Sequence, residues 1–95
     1  MITHGYAKTA SADRYIQQLV KHWGHKFATS YADGRGEVPF NAETRAKFDA
    51  EADRVAITLV TADAQSAENM KGVIANHLDR FAFREAPLTF EWAPA

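Results

Sequence analysis

Apolar residues recur at helical spacing in two stretches of the chain, three or four positions apart along one helix face. The first set consists of Ala12, Tyr15, Ile16, Leu19, Val20 and Trp23. The second set consists of Ala67, Met70, Ile74, His77, Leu78 and Phe81. Each stretch therefore predicts an amphipathic helix with one apolar stripe that must be buried.

Residues at the ends of both stretches are typical of helix termini. Ser11 and Asp63 are placed as N-cap residues, whose side-chain oxygens accept hydrogen bonds from free backbone N–H groups. Gly24 suits a left-handed cap at the C-terminus of the first helix. Gly72 lies inside the second helix, where glycine costs about 1 kcal/mol relative to alanine, and its presence there indicates close packing.

Alternation of apolar and polar residues is the pattern of a half-buried strand. It predicts six strands, over residues 2–8, 27–31, 37–40, 43–49, 54–61 and 88–92. The fourth of these has a weak pattern, and a short helical turn is its alternative. Asp33-Gly34-Arg35-Gly36 is typical of a hairpin reversal. Pro39 lacks an N–H donor, so we expect it at a sheet edge or a bulge.

The predicted element order is β-α-β-β-β-β-α-β, which indicates a single α+β domain. Because each helix has one stripe to bury, we expect a mainly antiparallel sheet with both helices packed on one face. The last strand follows a helix, so a parallel neighbour reached through a right-handed crossover is an alternative for that strand. The other sheet face is then either solvated or covered by a second subunit, as in a homodimer.

The composition of the chain indicates which binding partners and which cellular compartment to expect. The chain has 95 residues, enough for one hydrophobic core, and a formal net charge of −1 with acidic and basic residues interspersed. The chain has no run of basic residues, which is the pattern that would predict a surface for nucleic acid or for an anionic membrane. The absence of cysteine excludes disulfides, thiolate metal sites and a cysteine nucleophile. With no apolar run of about 20 residues and no leader-like N-terminus, we expect a cytoplasmic protein.

Two motifs carry a resemblance to a known family. The first motif is Arg14-Tyr15-Ile16 with Leu19, followed by Lys21-His22-Trp23-Gly24-His25-Lys26. The second motif is His77-Leu78 with Arg80-Phe81-Ala82-Phe83-Arg84-Glu85, and it leads to Trp92. In order and spacing, the chain resembles the bacterial family catalogued as domain of unknown function 2218. The resemblance implies no catalytic residue. Members of that family occur alone or beside siderophore-interacting, flavin-dependent reductase-like modules, so the resemblance implies a link to iron or siderophore metabolism and a reductase-like partner.

Histidines on the two predicted helices are candidate metal ligands. His22 and His25 lie at the end of the first helix and His77 on the second, so packing both helices on one sheet face can bring the three together. With Glu85 or His4 they would form a site for iron or zinc, which accept imidazole and carboxylate ligands. The alternative is structural: His22 satisfies its helix end, His77 is a hydrogen-bonded interior residue, and His25 belongs to a loop.

Arginines near the second motif are candidates for binding an anion. Guanidinium groups bind carboxylates and phosphates through two parallel hydrogen bonds, so Arg14, Arg80 and Arg84 with His22 predict a site for a carboxylate, a phosphate or a siderophore-type oxyanion. The alternative is an ion-pair network in which Arg84 and Glu85 anchor the connection between helix and last strand. The candidate ligand-binding residues are His22, His77, Arg14, Arg80, Arg84 and Glu85.

These patterns predict a non-enzymatic ligand-binding or accessory module, which the resemblance connects with iron or siderophore metabolism. One alternative is a small enzyme with His22 or His77 as general base in an arginine-lined pocket. Another is a dimerisation module that works through the free sheet face. No serine lies in a nucleophile-elbow motif, and Gly34-Arg35-Gly36 is a hairpin turn rather than a phosphate-binding loop.

Overall fold

Six strands and two helices form in the predicted order, in a computed structural model that describes residues 1–94. The strands are β1 (Ile2–Lys8), β2 (Ser30–Ala32), β3 (Arg35–Pro39), β4 (Arg45–Ala50), β5 (Arg54–Val60) and β6 (Phe90–Pro94). The helices are α1 (Ala12–Trp23) and α2 (Ala64–Phe81). The predicted α+β class is therefore confirmed. Within residues 1–94, neither helix combines the length and the hydropathy that crossing a bilayer requires.

The six strands form one sheet in the order β2-β3-β4-β5-β1-β6, and every neighbouring pair is antiparallel. β6 pairs with β1, so the parallel neighbour considered for the last strand is wrong. The reason is that β1 lies between β5 and β6. β5 and β6 run in the same direction, but the crossover through α2 passes over β1, so β6 does not lie beside β5.

Both helices pack on one face of this sheet, as predicted. Phe48 lies at the centre of that face and is fully buried. Ile16 and Leu19 from α1 and Ile74 and Leu78 from α2 are also fully buried and belong to the same hydrophobic cluster. Burial of each of these side chains contributes about 1.5–3 kcal/mol relative to leaving it in water. The cluster fixes α1 and α2 side by side.

The opposite sheet face carries charged residues that pair across strands. Arg35 lies 3.0 Å from Asp49, and Lys47 lies 3.6 Å from Glu37. All four side chains are substantially exposed, and such surface pairs contribute at most about 1 kcal/mol each. A second subunit on this face, the homodimer considered from the sequence, stays a prediction.

β2 and β3 are joined by the predicted tight reversal. Asp33 and Gly34 occupy its central positions with φ of 49° and 79°, both left-handed, and Ala32 pairs with Arg35. A two-residue turn of this kind matches the twist of the strands that it connects. Pairing with β2 stops two residues before Pro39. The missing N–H of this proline therefore lies at a free edge, and the prediction for Pro39 is confirmed.

The N-termini of the two helices are capped differently. Asp63 accepts a hydrogen bond from the Ser66 N–H at 2.8 Å and caps α2 as predicted. Ser11 makes no side-chain capping bond, so the corresponding prediction for α1 is wrong. Its backbone N–H instead donates to Thr9 Oγ1 at 3.0 Å. The threonine two residues earlier therefore takes part in holding the entry to α1.

The end of α1 also differs from the prediction. Gly24 is right-handed, with φ −62° and ψ −17°, rather than left-handed. The chain continues to turn beyond it, because the N–H groups of Lys26 and Phe27 donate to the Trp23 carbonyl at 3.0 and 2.8 Å. This extra turn uses residues that were predicted as strand. β2 consequently begins at Ser30 and not at residue 27.

The structure confirms one strand that had a helical alternative and moves the start of another. The weak pattern over residues 43–49 forms a strand, β4, and not a helical turn. The last strand begins at Phe90 rather than at Leu88. The Leu88 N–H donates to Asp79 Oδ1 at 2.9 Å, so this residue is tied to α2 before the chain joins the sheet.

Gly36 on β3 lies where side chains of α1 approach the sheet closely. A Cβ at this position would lie 2.7 Å from Val20 Cγ2 and 2.9 Å from Ile16 Cγ2. We expect Gly36→Ala to lower the free energy of unfolding by about 1–3 kcal/mol through overpacking. Urea denaturation measures this loss, and a neutral or stabilising substitution would contradict the close approach.

Gly72 provides the matched control for that substitution. Nothing lies within 4 Å of a Cβ built there, so the expectation of close packing at Gly72 is wrong. We expect Gly72→Ala to raise the free energy of unfolding by about 0.5–1 kcal/mol, because alanine favours the helix backbone. The opposite signs of the two glycine substitutions separate packing from backbone propensity.

Candidate functional site

His22 and His77 meet where α1 and α2 run antiparallel to each other. Their ring centroids lie 5.2 Å apart with the planes tilted by 52°. His77 is half-buried and also contacts Trp23, at 4.8 Å between centroids, whereas His22 is exposed and contacts Phe81 at 5.8 Å. We call His22, Trp23, His77 and Phe81 the imidazole cluster. Its two histidines were predicted to come together, and the structure places them so.

The orientation of His77 is fixed by its own helix. Its Nδ1 lies 2.7 Å from the Val73 carbonyl oxygen. Because a carbonyl oxygen only accepts hydrogen bonds, this contact requires the proton on Nδ1. In the neutral ring Nε2 then carries the free lone pair. His77 is therefore a hydrogen-bonded residue, as the structural alternative expected, with one nitrogen left for another partner.

His22 lies near several basic side chains. Desolvation of its ring by the neighbouring side chains lowers the pKa of His22 from the ordinary value, and nearby basic groups lower it further. These groups are His77, Arg80, His25 and Lys26. A lowered pKa favours the neutral ring of His22, which has a nitrogen able to accept a proton, a hydrogen bond or a metal ion.

Aromatic side chains of the hydrophobic core pack behind the imidazole cluster. Trp23 contacts Phe40 edge to face at 5.0 Å and is stacked with Phe48 at 6.2 Å, and Phe27 contacts Phe40 at 5.1 Å. Such pairs contribute about 0.5–1.5 kcal/mol each beyond their burial. The wall behind His77 is thus part of the hydrophobic core, which holds the histidine in one place.

Glu85 lies apart from the histidines and anchors the connection after α2. Its carboxylate accepts hydrogen bonds from the Tyr15 hydroxyl and from Thr9 Oγ1, the latter at 2.9 and 3.1 Å. The hydrogen bond to Glu85, together with burial, raises the pKa of Tyr15. We call Thr9, Tyr15 and Glu85 the carboxylate brace. It connects the start of α1 to the chain between α2 and β6.

The brace is not the ion-pair network that the sequence suggested. Among residues 1–94, none of the four ion pairs includes Arg14, Arg80 or Arg84. The exposed Arg84 lies over the ring of Phe83, 5.7 Å from its centroid. Glu85 uses neutral hydroxyl donors instead. The connection is therefore anchored by hydrogen bonds, and Arg84 is directed to solvent.

The three candidate arginines do not form one group. Arg80 acts electrostatically on His22. Arg14 lines a groove along α1 with Gln18 and Lys21. Arg84 is off the helix, since α2 ends at Phe81. Of the predicted anion site, the structure thus brings only Arg80 to the imidazole cluster.

The predicted metal ligands are only partly assembled. Among the described residues no group of three or more His, Cys, Asp or Glu side chains is placed to hold a metal ion. His25 follows α1, and His4 lies on the opposite sheet face, where it pairs with Thr58. His22 and His77 are left as two neighbouring imidazoles without a third protein ligand from this part of the chain.

The sequence profile of a family described as an uncharacterised protein conserved in bacteria, domain of unknown function 2218 (DUF2218), matches residues 4–93. The chain belongs to this family. A comparison with curated proteins finds no match. Among solved structures, the NMR structure of PA4090 from Pseudomonas aeruginosa is similar, with 35% sequence identity over 99% of this chain and 96% of that chain and a TM-score of 0.82. The resemblance seen in the sequence is confirmed, and the fold is shared with an experimental structure.

Two grooves of this DUF2218 protein lie away from its imidazole cluster. One, of about 500 Å³, lies at β2, β3 and β4 and is lined by Arg35 and Lys47 among others. The other, of about 550 Å³, runs along α1 beside Tyr31 and includes Arg14. No histidine lines either groove. The enzyme hypothesis needs a histidine inside an arginine-lined pocket, and these two grooves do not provide one.

Thr9 and Trp23 have roles that the sequence did not reveal for this DUF2218 protein. The pattern of the sequence predicted Trp23 only as part of the apolar stripe of α1. The signal available for Trp23 was its position next to His22 at the end of an apolar stripe. Thr9 offered no local signal, because its partner Glu85 is 76 residues away in sequence.

Proposed function

We propose that this DUF2218 protein is a non-enzymatic binding module for small anionic ligands, and that it binds them at the imidazole cluster together with Arg80. One observation carries the proposal: the exposed ring of His22 lies 5.2 Å from that of His77 and 5.8 Å from that of Phe81, and Arg80 lies about one helical turn beyond His77 on α2. The cluster is open to solvent at His22 and has an aromatic wall at Phe81. A positive, partly apolar surface of this kind favours an anion with an aromatic ring.

The chemistry of the side chains suggests the class of ligand. The Arg80 guanidinium can donate two parallel hydrogen bonds to a carboxylate or a similar pair of oxygens. The rings of His22 and Phe81 offer faces and edges for an aromatic ligand, and such contacts contribute about 0.5–1.5 kcal/mol each. An aromatic carboxylate or catecholate, the type of group found in many siderophores, uses both features at once.

The link to iron or siderophore metabolism is the more specific part of the proposal. It follows from what the family resemblance implies and from the agreement between a siderophore-type oxyanion and a basic, imidazole-containing surface. A siderophore-interacting reductase-like partner stays a prediction of the same kind. A homodimer through the open sheet face is independent of the ligand and also stays a prediction.

The test uses 2,3-dihydroxybenzoate, a metal-free aromatic oxyanion, with inorganic phosphate as a second probe. In a titration followed by 1H–15N NMR, we expect concentration-dependent shifts at the C-terminal halves of α1 and α2. Arg80→Gln should weaken the affinity about tenfold, equivalent to about 1.4 kcal/mol. The matched control is Arg45→Gln on the exposed end of β4, which should bind like the unaltered protein.

Three results would contradict the proposal. One is the absence of any shift at the histidines at near-millimolar concentrations of both probes. Another is an equal loss of affinity in the Arg80 and Arg45 variants, because binding would then follow total charge and not the imidazole cluster. Shifts confined to the groove along α1 at Arg14 would also move the site away from the histidines.

A further inference from the structure

We infer that His22 and His77 form a two-imidazole site for a transition-metal ion whose remaining coordination positions are filled by an anionic chelating ligand. The inference rests on the proposed function, since the anion proposed there is the group that completes the coordination. It adds a metal ion to that function, and it assigns the two nitrogens that hold the metal. The site joins α1 to α2 and needs no other protein ligand from residues 1–94.

The spacing of the two rings agrees with shared coordination of one metal. Imidazole nitrogens bind such metals at about 2.0–2.1 Å, and a ring centroid lies roughly 1.1 Å behind its nitrogen. Two imidazoles on one metal, with an angle of roughly 90–110° between them, therefore have centroids about 4.5–5.2 Å apart. The observed separation of His22 and His77 is 5.2 Å. Their planes are tilted by 52°, so the rings are not stacked face to face.

His77 is already arranged as a metal ligand. Histidines that bind metals usually donate their other ring N–H to a carbonyl or carboxylate, which fixes the tautomer and the ring orientation. The contact from Nδ1 of His77 to the Val73 carbonyl, at 2.7 Å, has this form. Trp23 packs against the same ring at 4.8 Å between centroids and restricts its rotation. Nε2 of His77 is the nitrogen left for the metal.

The surroundings explain why the metal would arrive as a chelate. Among residues 1–94 no third His, Cys, Asp or Glu joins the pair, so most coordination positions remain open, as in sites that bind an exogenous group. The guanidinium group of Arg80 and the ammonium group of Lys26 act on His22 and disfavour a bare divalent cation. The same charges favour an anionic metal complex that has two adjacent open positions.

Nickel nitrilotriacetate tests this directly, because it is an anionic complex with two adjacent open positions. Nickel ethylenediaminetetraacetate is the matched control, since it is also anionic but leaves no position free. In calorimetric titrations of the untagged, metal-free protein, we expect binding of the first complex and not of the second. Paramagnetic broadening of NMR signals around His22 and His77 should locate the bound nickel.

Substitutions of the histidines complete the test. Even an outer-shell partner is worth about 10–100-fold in metal affinity, so loss of a ligand in His22→Gln or His77→Gln should weaken binding at least as much. His25→Gln is the matched control and should change the affinity less than about twofold. His22 is exposed, so its variant is expected to fold, and the test does not depend on the half-buried His77 alone.

The outcomes separate this inference from the proposed function. Equal binding of both nickel complexes would overturn the two-imidazole site while supporting a simple anion site. Binding that survives His22→Gln, or that is lost in His25→Gln, would also overturn it. Binding of nickel nitrilotriacetate that depends on both His22 and His77 supports the inference, even if 2,3-dihydroxybenzoate alone does not bind and the proposed function fails.

Discussion

Replacing Trp23 with alanine is expected to lower the free energy of unfolding by about 3–5 kcal/mol, the usual cost of removing a large buried aromatic ring. Trp23 is 5% exposed and contacts Phe40, Phe48 and His77. Its removal would leave a cavity between the two helices and the sheet. Urea denaturation followed by far-ultraviolet circular dichroism measures the loss without depending on tryptophan fluorescence.

Phe83→Ala is the control for the Trp23 substitution. Phe83 is 71% exposed, so we expect its removal to change the free energy of unfolding by no more than about 0.5 kcal/mol. A loss below about 1 kcal/mol for Trp23→Ala would mean that the wall behind His77 collapses without cost. The imidazole cluster would then not be held by the core in the way that its contacts indicate.

Replacing Glu85 with alanine is expected to cost about 2–3 kcal/mol, because hydrogen bonds to a charged acceptor are lost and two hydroxyls are left without their partner. Those hydroxyls belong to Tyr15, which is 7% exposed, and Thr9, which is 5% exposed. Arg84→Ala is the matched neighbour and should change the free energy of unfolding by no more than about 0.5 kcal/mol. Equal costs for the two would show that the brace is electrostatic and not hydrogen-bonded.

The same brace predicts a dependence on alkaline pH. The pKa of Tyr15 is raised in the folded protein, so the folded state keeps its phenol proton at a pH where the unfolded chain has lost it. The resulting stabilisation is complete below the ordinary tyrosine pKa of about 10 and is lost as the pH rises through the higher folded value. In Glu85→Ala the pKa of Tyr15 should fall, and this part of the alkaline loss should diminish.

The sequence predicted the elements well because they depend on local patterns. The stripes of α1 and α2, the Asp33-Gly34 turn and the position of Pro39 follow from spacing and backbone preference within a few residues. The predictions fail where the structure depends on contacts between parts of the chain that are distant in sequence. Whether β6 pairs with β5 or with β1 depends on packing across the whole sheet, and the pattern within β6 is the same in both cases.

The candidate site was also predictable only where it follows from the fold class. His22 and His77 lie on the faces of two helices that had to share one side of the sheet, so their meeting follows from the fold class. The partners of Glu85 did not follow, because Thr9 and Tyr15 are 70 residues or more away in sequence. The separation of Arg84 from Arg80 did not follow either, because Arg84 lies beyond the end of α2 at Phe81, where no helical spacing fixes the direction of a side chain.

The position of β1 between β5 and β6 has a consequence for how the protein folds. β1 pairs with β5 and with β6, which are separated from it by roughly half and nearly all of the chain. The meander from β2 to β5 needs only short loops to close, whereas β1 must wait for two distant segments, and such long-range closure slows folding. β1 is synthesised before both of its neighbours and is therefore completed last, and until β6 is made its unpaired edge is open to pairing with another molecule.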